Sequence, residues 1–259
     1  MTSAVEGPHV PLAARRVHER WERLCAGTAQ PDVFDVAMVA DLPEPARRWL
    51  THAIAPGTPL WQSAELTMHG EIRLGSWRPF TATQVVSPPR GYVWAATARV
   101  LGLPVVGYDL LEHGVGQMRW RLLDLLPVVT ADGADVSRSA AGRLVGEIAL
   151  APTTFGSATW TMGDHPDRTT GAVQLGDELE AVELDVRPNG ALHQVVVQRW
   201  GNPGGESFGR YPFGVTVEEE QTFEGVTMPS AFRAAWWFGT ERQDEGEFFR
   251  ARVTQAVFR

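Results

Sequence analysis

Two hydrophobic periods divide the chain. Over residues 9–25, Val10, Ala13, Ala14, Val17, Trp21 and Leu24 recur at helical spacing with Arg15, Arg16, Glu19 and Glu22 opposite, which predicts an amphipathic helix. Residues 27–32 break it. A second helix is predicted over 44–53, with Pro43 and Pro45 at its start and Ala46, Trp49, Leu50 and Ala53 as its apolar stripe. Pro56, Gly57 and Pro59 end it.

From Trp61 the period drops to two. Leu66, Met68, Gly70, Ile72 and Leu74 alternate with Glu65, Thr67, His69, Glu71 and Arg73, and Gly75-Ser76 stands where a hairpin turn belongs, with a return strand over 77–86. Further strands are predicted over 91–99, 105–111 and 115–122. Residues 135–150 form the one clear internal helix, with Ala141, Leu144, Val145 and Ile148 on one face and Pro152 as its stop. Strands resume over 158–162, 169–175, 180–187, 192–200, 215–223, 228–238 and 247–258. Pro188-Asn189-Gly190 is the strongest hairpin signal in the chain.

The count is roughly twelve strands and three helices, joined by hairpin-length links. That pattern predicts an α+β protein dominated by antiparallel β structure. A sheet of this size curls into a barrel or half-barrel and encloses more volume than its own side chains fill, with the helices as plug or lid. Residues 1–40 are read as an N-terminal helical segment and 41–259 as a single curved-sheet domain.

Composition narrows the chemistry. All 23 basic residues are arginine, so phosphate loops, pyridoxal Schiff bases and amine nucleophiles, each of which requires lysine, are excluded. The single Cys25 excludes an internal disulfide, CxxC redox pairs and thiolate zinc cages. The seven histidines show no metal-ligand spacing, and SxxK cannot occur without lysine, so no metal or cofactor is expected. A net charge of −8 argues against nucleic acid and anionic membrane surfaces as partners. Residues 1–9 show no signal-peptide pattern and no apolar run is long enough to span a bilayer, so a cytoplasmic protein without membrane insertion is expected.

Several stretches carry a resemblance: LPEPARRWL at 42–50, GSWRPFTATQ at 75–84, YVWAA at 92–96, YDLLEHGVGQM at 108–118 and RLVGE at 143–147. Their order resembles a family of uncharacterised bacterial proteins, a domain of unknown function, most closely over about residues 40–160 and more loosely beyond. In architecture alone the chain is similar to the curved-sheet lipoprotein carriers that hold an acyl chain in a half-barrel. That resemblance implies a container for an apolar molecule.

Five features compete for a functional role. Asp109, Glu112 and His113 precede Gly114-Val115-Gly116, and read either as a carboxylate and imidazole poised for proton transfer or as a solvated turn. Arg143 and Glu147, four residues apart on the internal helix, form either a surface pair or an inward pair that anchors the helix or a ligand; the structural role is preferred. On 192–200, alternation puts His193, Val195, Val197 and Arg199 on one face. Arg199 is then a snorkelling edge residue or a buried cation holding a carboxylate, and in the second case the natural anchor for an acidic head-group. Residues 201–209 read as a flexible loop over the barrel mouth, and Glu218-Glu219-Glu220 as a solvated strand edge.

The resulting expectation is a cavity that binds a hydrophobic small molecule or acyl chain, with Trp94, Trp120 and Trp160 as apolar lining and Asp109, His113 and Arg199 as polar contacts. A packed interior with no cavity above ~300 Å³ contradicts it. Two alternatives remain open: a cofactor-independent cyclase or isomerase acting on a polyketide-like substrate, and a protein-interaction module, which requires an exposed tryptophan patch.

Overall fold

The computed structural model describes residues 10–259. The reading of residues 1–9 as carrying no export signal lies outside the described residues. A 3-10 turn, Leu12–Val17, leads into helix α1, His18–Cys25, and α2 spans Glu44–Ala53, the bounds its proline-flanked stripe predicts. Thirteen strands form one sheet. The first six run outward as a meander: β1 Ala64–Leu74, β2 Ser76–Ser87, β3 Gly91–Val100, β4 Leu103–Glu112, β5 Val115–Leu122 and β6 Leu126–Ala131. Helix α3, Ala134–Gly146, and two 3-10 turns then lead to β7 Thr159–Met162, β8 Arg168–Leu175, β9 Glu178–Val186, β10 Leu192–Gly201, β11 Gly209–Phe223, β12 Val226–Trp236, a short α4 Gln243–Gly246, and β13 Glu247–Phe258.

The strand order is β6-β5-β4-β3-β2-β1-β13-β12-β11-β10-β9-β8-β7, every pairing antiparallel. The barrel-or-half-barrel expectation resolves to the open form, because β6 and β7 are both free edges. This topology decides where the internal helix goes. The chain leaves the sheet at one edge, β6, and must re-enter at the other, β7, so the segment between them crosses the open side. Helix α3 makes that crossing and packs against β4 and β5 of one arm and β9 and β10 of the other.

The two faces of the sheet are covered differently. On β3, Val93 and Ala95 point to the outer face, where Trp21 and Leu24 of α1 cover them, while Tyr92, Trp94, Ala96 and Ala98 point inward. β3 is therefore buried almost throughout. On the inner face of the second arm, Val182 and Leu184 of β9 and Val195 and Val197 of β10 meet residues of both α2 and α3.

Three sequence expectations change. β6 was not anticipated: Pro127 and its run of exposed positions hide it, and Pro127 is tolerated because the strand is an edge. Glu218-Glu219-Glu220 does not lie on an edge, since β11 sits between β10 and β12. Glu219 instead pairs with Arg252 at 2.6 Å, and the two oxygens of Glu220 accept from the Leu192 amide at 3.0 Å and meet His52 at 2.9 Å. Glu112 is not solvated but buried, accepting two bonds from Arg23 at 2.9 and 3.0 Å, and thereby fixes α1 to the sheet.

Candidate functional site

The crossing helix does not fill the space beneath it. Between α3 and the inner face of the sheet lies a partly enclosed cavity of about 290 Å³. It falls just short of the ~300 Å³ at which small-molecule pockets begin. It is nonetheless roughly twice the ~150 Å³ void that accepts benzene. The void therefore admits a small ligand and not a bulky one. Its walls come from both arms: Met68 and Trp94 on one side, and Val195, Val197, Phe213 and Phe249 on the other.

Two glycines on α3 set how closely the helix meets the sheet beside the void. Gly142 and Gly146, four apart, face β10; a Cβ on Gly146 would sit 3.7 Å from Val197, and one on Gly142 only 3.2 Å from the Arg199 side chain. Neither glycine has an unusual backbone angle, so each serves the close approach of α3 to β10 and not a turn.

Five polar side chains reach into this apolar chamber: Gln84, Asp109, Arg143, Glu147 and Arg199. Their placement follows from register. Asp109 lies opposite Trp94 of β3 and Met118 of β5, so all three share the inner face. Two residues away, Gly107 lies opposite Trp120, and its missing side chain lets the indole lie flat across β4. The Trp120 Nε1–H then donates to Asp109 Oδ1 at 2.8 Å. From α3, Arg143 Nε donates to Glu147 Oε1 at 2.7 Å and a terminal nitrogen stands 3.6 Å from Asp109 Oδ2. The buried Gln84 amide donates to the other Glu147 oxygen at 2.7 Å. The Arg143 guanidinium also lies over the rings of Tyr92 at 4.4 Å and Trp94 at 5.5 Å.

Arg143 is thus neutralised twice. Burial alone would lower its pKa, but Glu147, then Tyr92 and Asp109, raise it. Arg199 is treated differently. Its Nε donates to the Ser139 carbonyl of α3 at 3.0 Å, and its guanidinium lies over Phe213 at 4.7 Å and Trp236 at 5.1 Å. Among the described residues it makes no ion pair, and burial pulls its pKa down to about 10, with nearby Arg143 adding to the effect against Tyr92, Glu147 and Asp109. It remains a cation at neutral pH. Burial likewise pushes the Asp109 carboxyl above the usual aspartate range, against the opposing pull of Arg143 and Trp120. It pushes the Tyr92 phenol up to about 12.

The structure brings together Trp94, Asp109 and Arg199 at the cavity wall, with Trp120 behind Asp109. It separates the other two expected residues. His113 is exposed in the β4–β5 turn, where it and Gly114 both take left-handed backbone angles of 51° and 75°, as a two-residue hairpin requires. Trp160 does not line the cavity; it lies over Gly171 and packs on Trp49 of α2 at 5.5 Å. The surface reading of Arg143 and Glu147 is replaced by the inward one. No residue of the 201–209 loop, apart from its strand neighbours, reaches the cavity wall. Gln84, Met118 and the two helix glycines were not singled out; only the i, i+4 glycine pair on the internal helix carried a signal that could have found them.

Structural similarity is broad and shallow. A putative outer membrane lipoprotein-sorting protein domain from Vibrio parahaemolyticus is 10% identical, with 87% of this chain and 94% of that chain covered at a TM-score of 0.45. A LolA superfamily protein from Nitrosomonas europaea is also 10% identical, with 85% and 94% covered and a TM-score of 0.44. A DUF1329 family protein from Desulfovibrio piger is 11% identical, with 83% and 90% covered and a TM-score of 0.38. No curated protein matches the chain. The sequence match is firmer and extends well past the segments around 40–160: over residues 40–258, from just ahead of α2 to the end of β13, the chain belongs to the family of unknown function DUF6920.

Proposed function

We propose that the protein binds a small apolar molecule or acyl chain in the cavity between α3 and the inner face of the sheet. One observation carries this reading: the chamber of about 290 Å³ has mostly aliphatic and aromatic walls, and the helix that crosses above it leaves the space unfilled. A void of this kind costs stability, so its presence under a helix that holds both arms together favours a ligand-binding role. The interaction-module alternative lacks its required feature, since all ten tryptophans are buried or half-buried.

Native mass spectrometry of freshly purified protein tests the reading. The expected result is a population carrying a co-purified hydrophobic compound, or uptake of a neutral hydrophobic fluorophore by the emptied protein. Apo mass alone, together with no uptake, overturns it.

A second reading, a cofactor-independent cyclase or isomerase, draws on Asp109. Its carboxyl lines the cavity with one oxygen bonded to Trp120 and the other at 3.6 Å from Arg143, and its raised pKa suits proton transfer nearer neutrality. On this reading Asp109→Asn abolishes turnover of a polyketide-like substrate while leaving its binding intact. Equal turnover by the variant counts against it.

A further inference from the structure

We infer that the ligand of this cavity is an amphiphile with an anionic head-group, a carboxylate in the first instance, and that Arg199 is the residue that holds it. The inference rests on the binding reading above and adds the ligand's charge and its orientation.

The argument compares two cations in one chamber. Arg143 and Arg199 both project into it, and so do two carboxylates, Asp109 and Glu147. An even arrangement would pair each cation with one anion. Instead, Arg143 lies within 3.6 Å of Asp109 and 2.7 Å of Glu147, and Gln84 occupies the remaining Glu147 oxygen. Among the described residues Arg199 receives no carboxylate, and only its Nε is hydrogen-bonded, to a helix carbonyl. Its two terminal nitrogens therefore keep their donors free, at the edge of a space walled by Val195, Val197 and Phe213.

Arg199 is half-buried, and the planar fork of its guanidinium donors matches a carboxylate or phosphate oxygen pair. The rings of Phe213 and Trp236 hold the guanidinium by their faces, which leaves its in-plane donors directed to the side. Ser139 fixes the Nε end, so the open side is the one opposite the helix carbonyl. The aliphatic walls beside Arg199 then receive the tail. Phosphate monoesters share this head-group chemistry, and the small volume selects a single short chain or a compact ring system over a multi-chain lipid.

The test pairs ligands that differ only in the head. Straight-chain alkanoates from hexanoate to dodecanoate, the matching alkanols and an alkyl phosphate are titrated into the emptied protein at about pH 8, where the carboxylate is ionised and arginine is charged. The expected result is binding of the alkanoate about tenfold or more tighter than the alkanol of equal length. In Arg199→Met that preference collapses, while alkanol affinity stays within about threefold of wild type; Arg199→Lys restores part of the preference. Comparison with the alkyl phosphate decides which acid the site prefers. Equal affinity of wild type for alkanoate and alkanol overturns the inference and leaves the apolar-ligand reading standing. A preference that survives in Arg199→Met overturns the role of Arg199. Binding of neither series, in protein that takes up no neutral fluorophore, removes the binding reading itself. Circular dichroism of each variant distinguishes lost anchoring from lost fold.

Discussion

Helices α2 and α3 cover the same inner face of the same sheet, and one seals it while the other leaves a chamber. Beneath α2, the fully buried Trp49 and Leu50 meet Trp160, Val182 and Leu184. Beneath α3, Gly142 and Gly146 lie close against Val195, Val197 and Arg199, with the cavity beside them. The helix faces differ in side-chain volume: α2 presents Trp49 and Leu50, and α3 presents Gly142 and Gly146. The two glycines let α3 lie close against β10, and the cavity opens beside that contact.

The largest test of that contrast removes matter from both places. Trp49→Ala is expected to cost about 3–5 kcal/mol in urea unfolding, because it empties a filled site. Val197→Ala removes a side chain whose inner surface already faces space, and is expected to cost about 1 kcal/mol. Equal losses would mean the chamber is not empty in solution.

The two arginines give the next contrast. Arg143→Met strands Glu147 and Asp109 without their cation, and is expected to cost about 3 kcal/mol or more. Arg199→Met strands no carboxylate, so its thermal unfolding is expected at or above the wild-type temperature, by up to ~2 kcal/mol in stability. A large loss in Arg199→Met would show that the residue holds the fold and not a ligand.

A smaller effect of opposite sign is expected from Gly146→Ala. The added methyl meets Val197 at ordinary contact distance, and the helix gains about 0.5–1 kcal/mol from alanine. Stability rises while ligand affinity falls, a trade that α2, already filled, does not offer.

The smallest effect is a pH dependence. Because burial raises the Asp109 pKa, the folded chain keeps a proton that the unfolded chain has lost at the same pH. Stability contributed by this group therefore falls as pH rises from the ordinary aspartate range through the raised folded value. Asp109→Asn keeps an oxygen for Trp120 and is expected to be more stable than wild type at neutral pH and no more stable in acid; denaturant titrations at several pH values measure the difference.

Where one physical signal dominates, the sequence was sufficient to read the element. Alternation placed β1 and β13, and proline punctuation placed α2. The half-barrel followed from strand number and short links. What stayed illegible depended on neighbours distant in the chain. The spacing of Arg143 and Glu147 is the same whether the pair faces solvent or the core, and only the crossing of α3 between two sheet edges turns it inward. Trp160 carries the same residue type as Trp94, but its strand lies under α2, a fact set by strand order. Glu220 reads as a solvated edge until β11 is known to be internal. Arg199 was legible as an arginine beside valines; the absence of a partner carboxylate was not.

The central claim joins a place, a tail and a head: an acid held by Arg199 with its chain beneath α3. A crystal structure of the protein with decanoate tests all three at once. The account predicts the carboxylate within hydrogen-bonding distance of the terminal nitrogens of Arg199 and the chain along Val195, Val197 and Phe213. A chain bound outside this chamber, or a head-group turned away from Arg199, would contradict it.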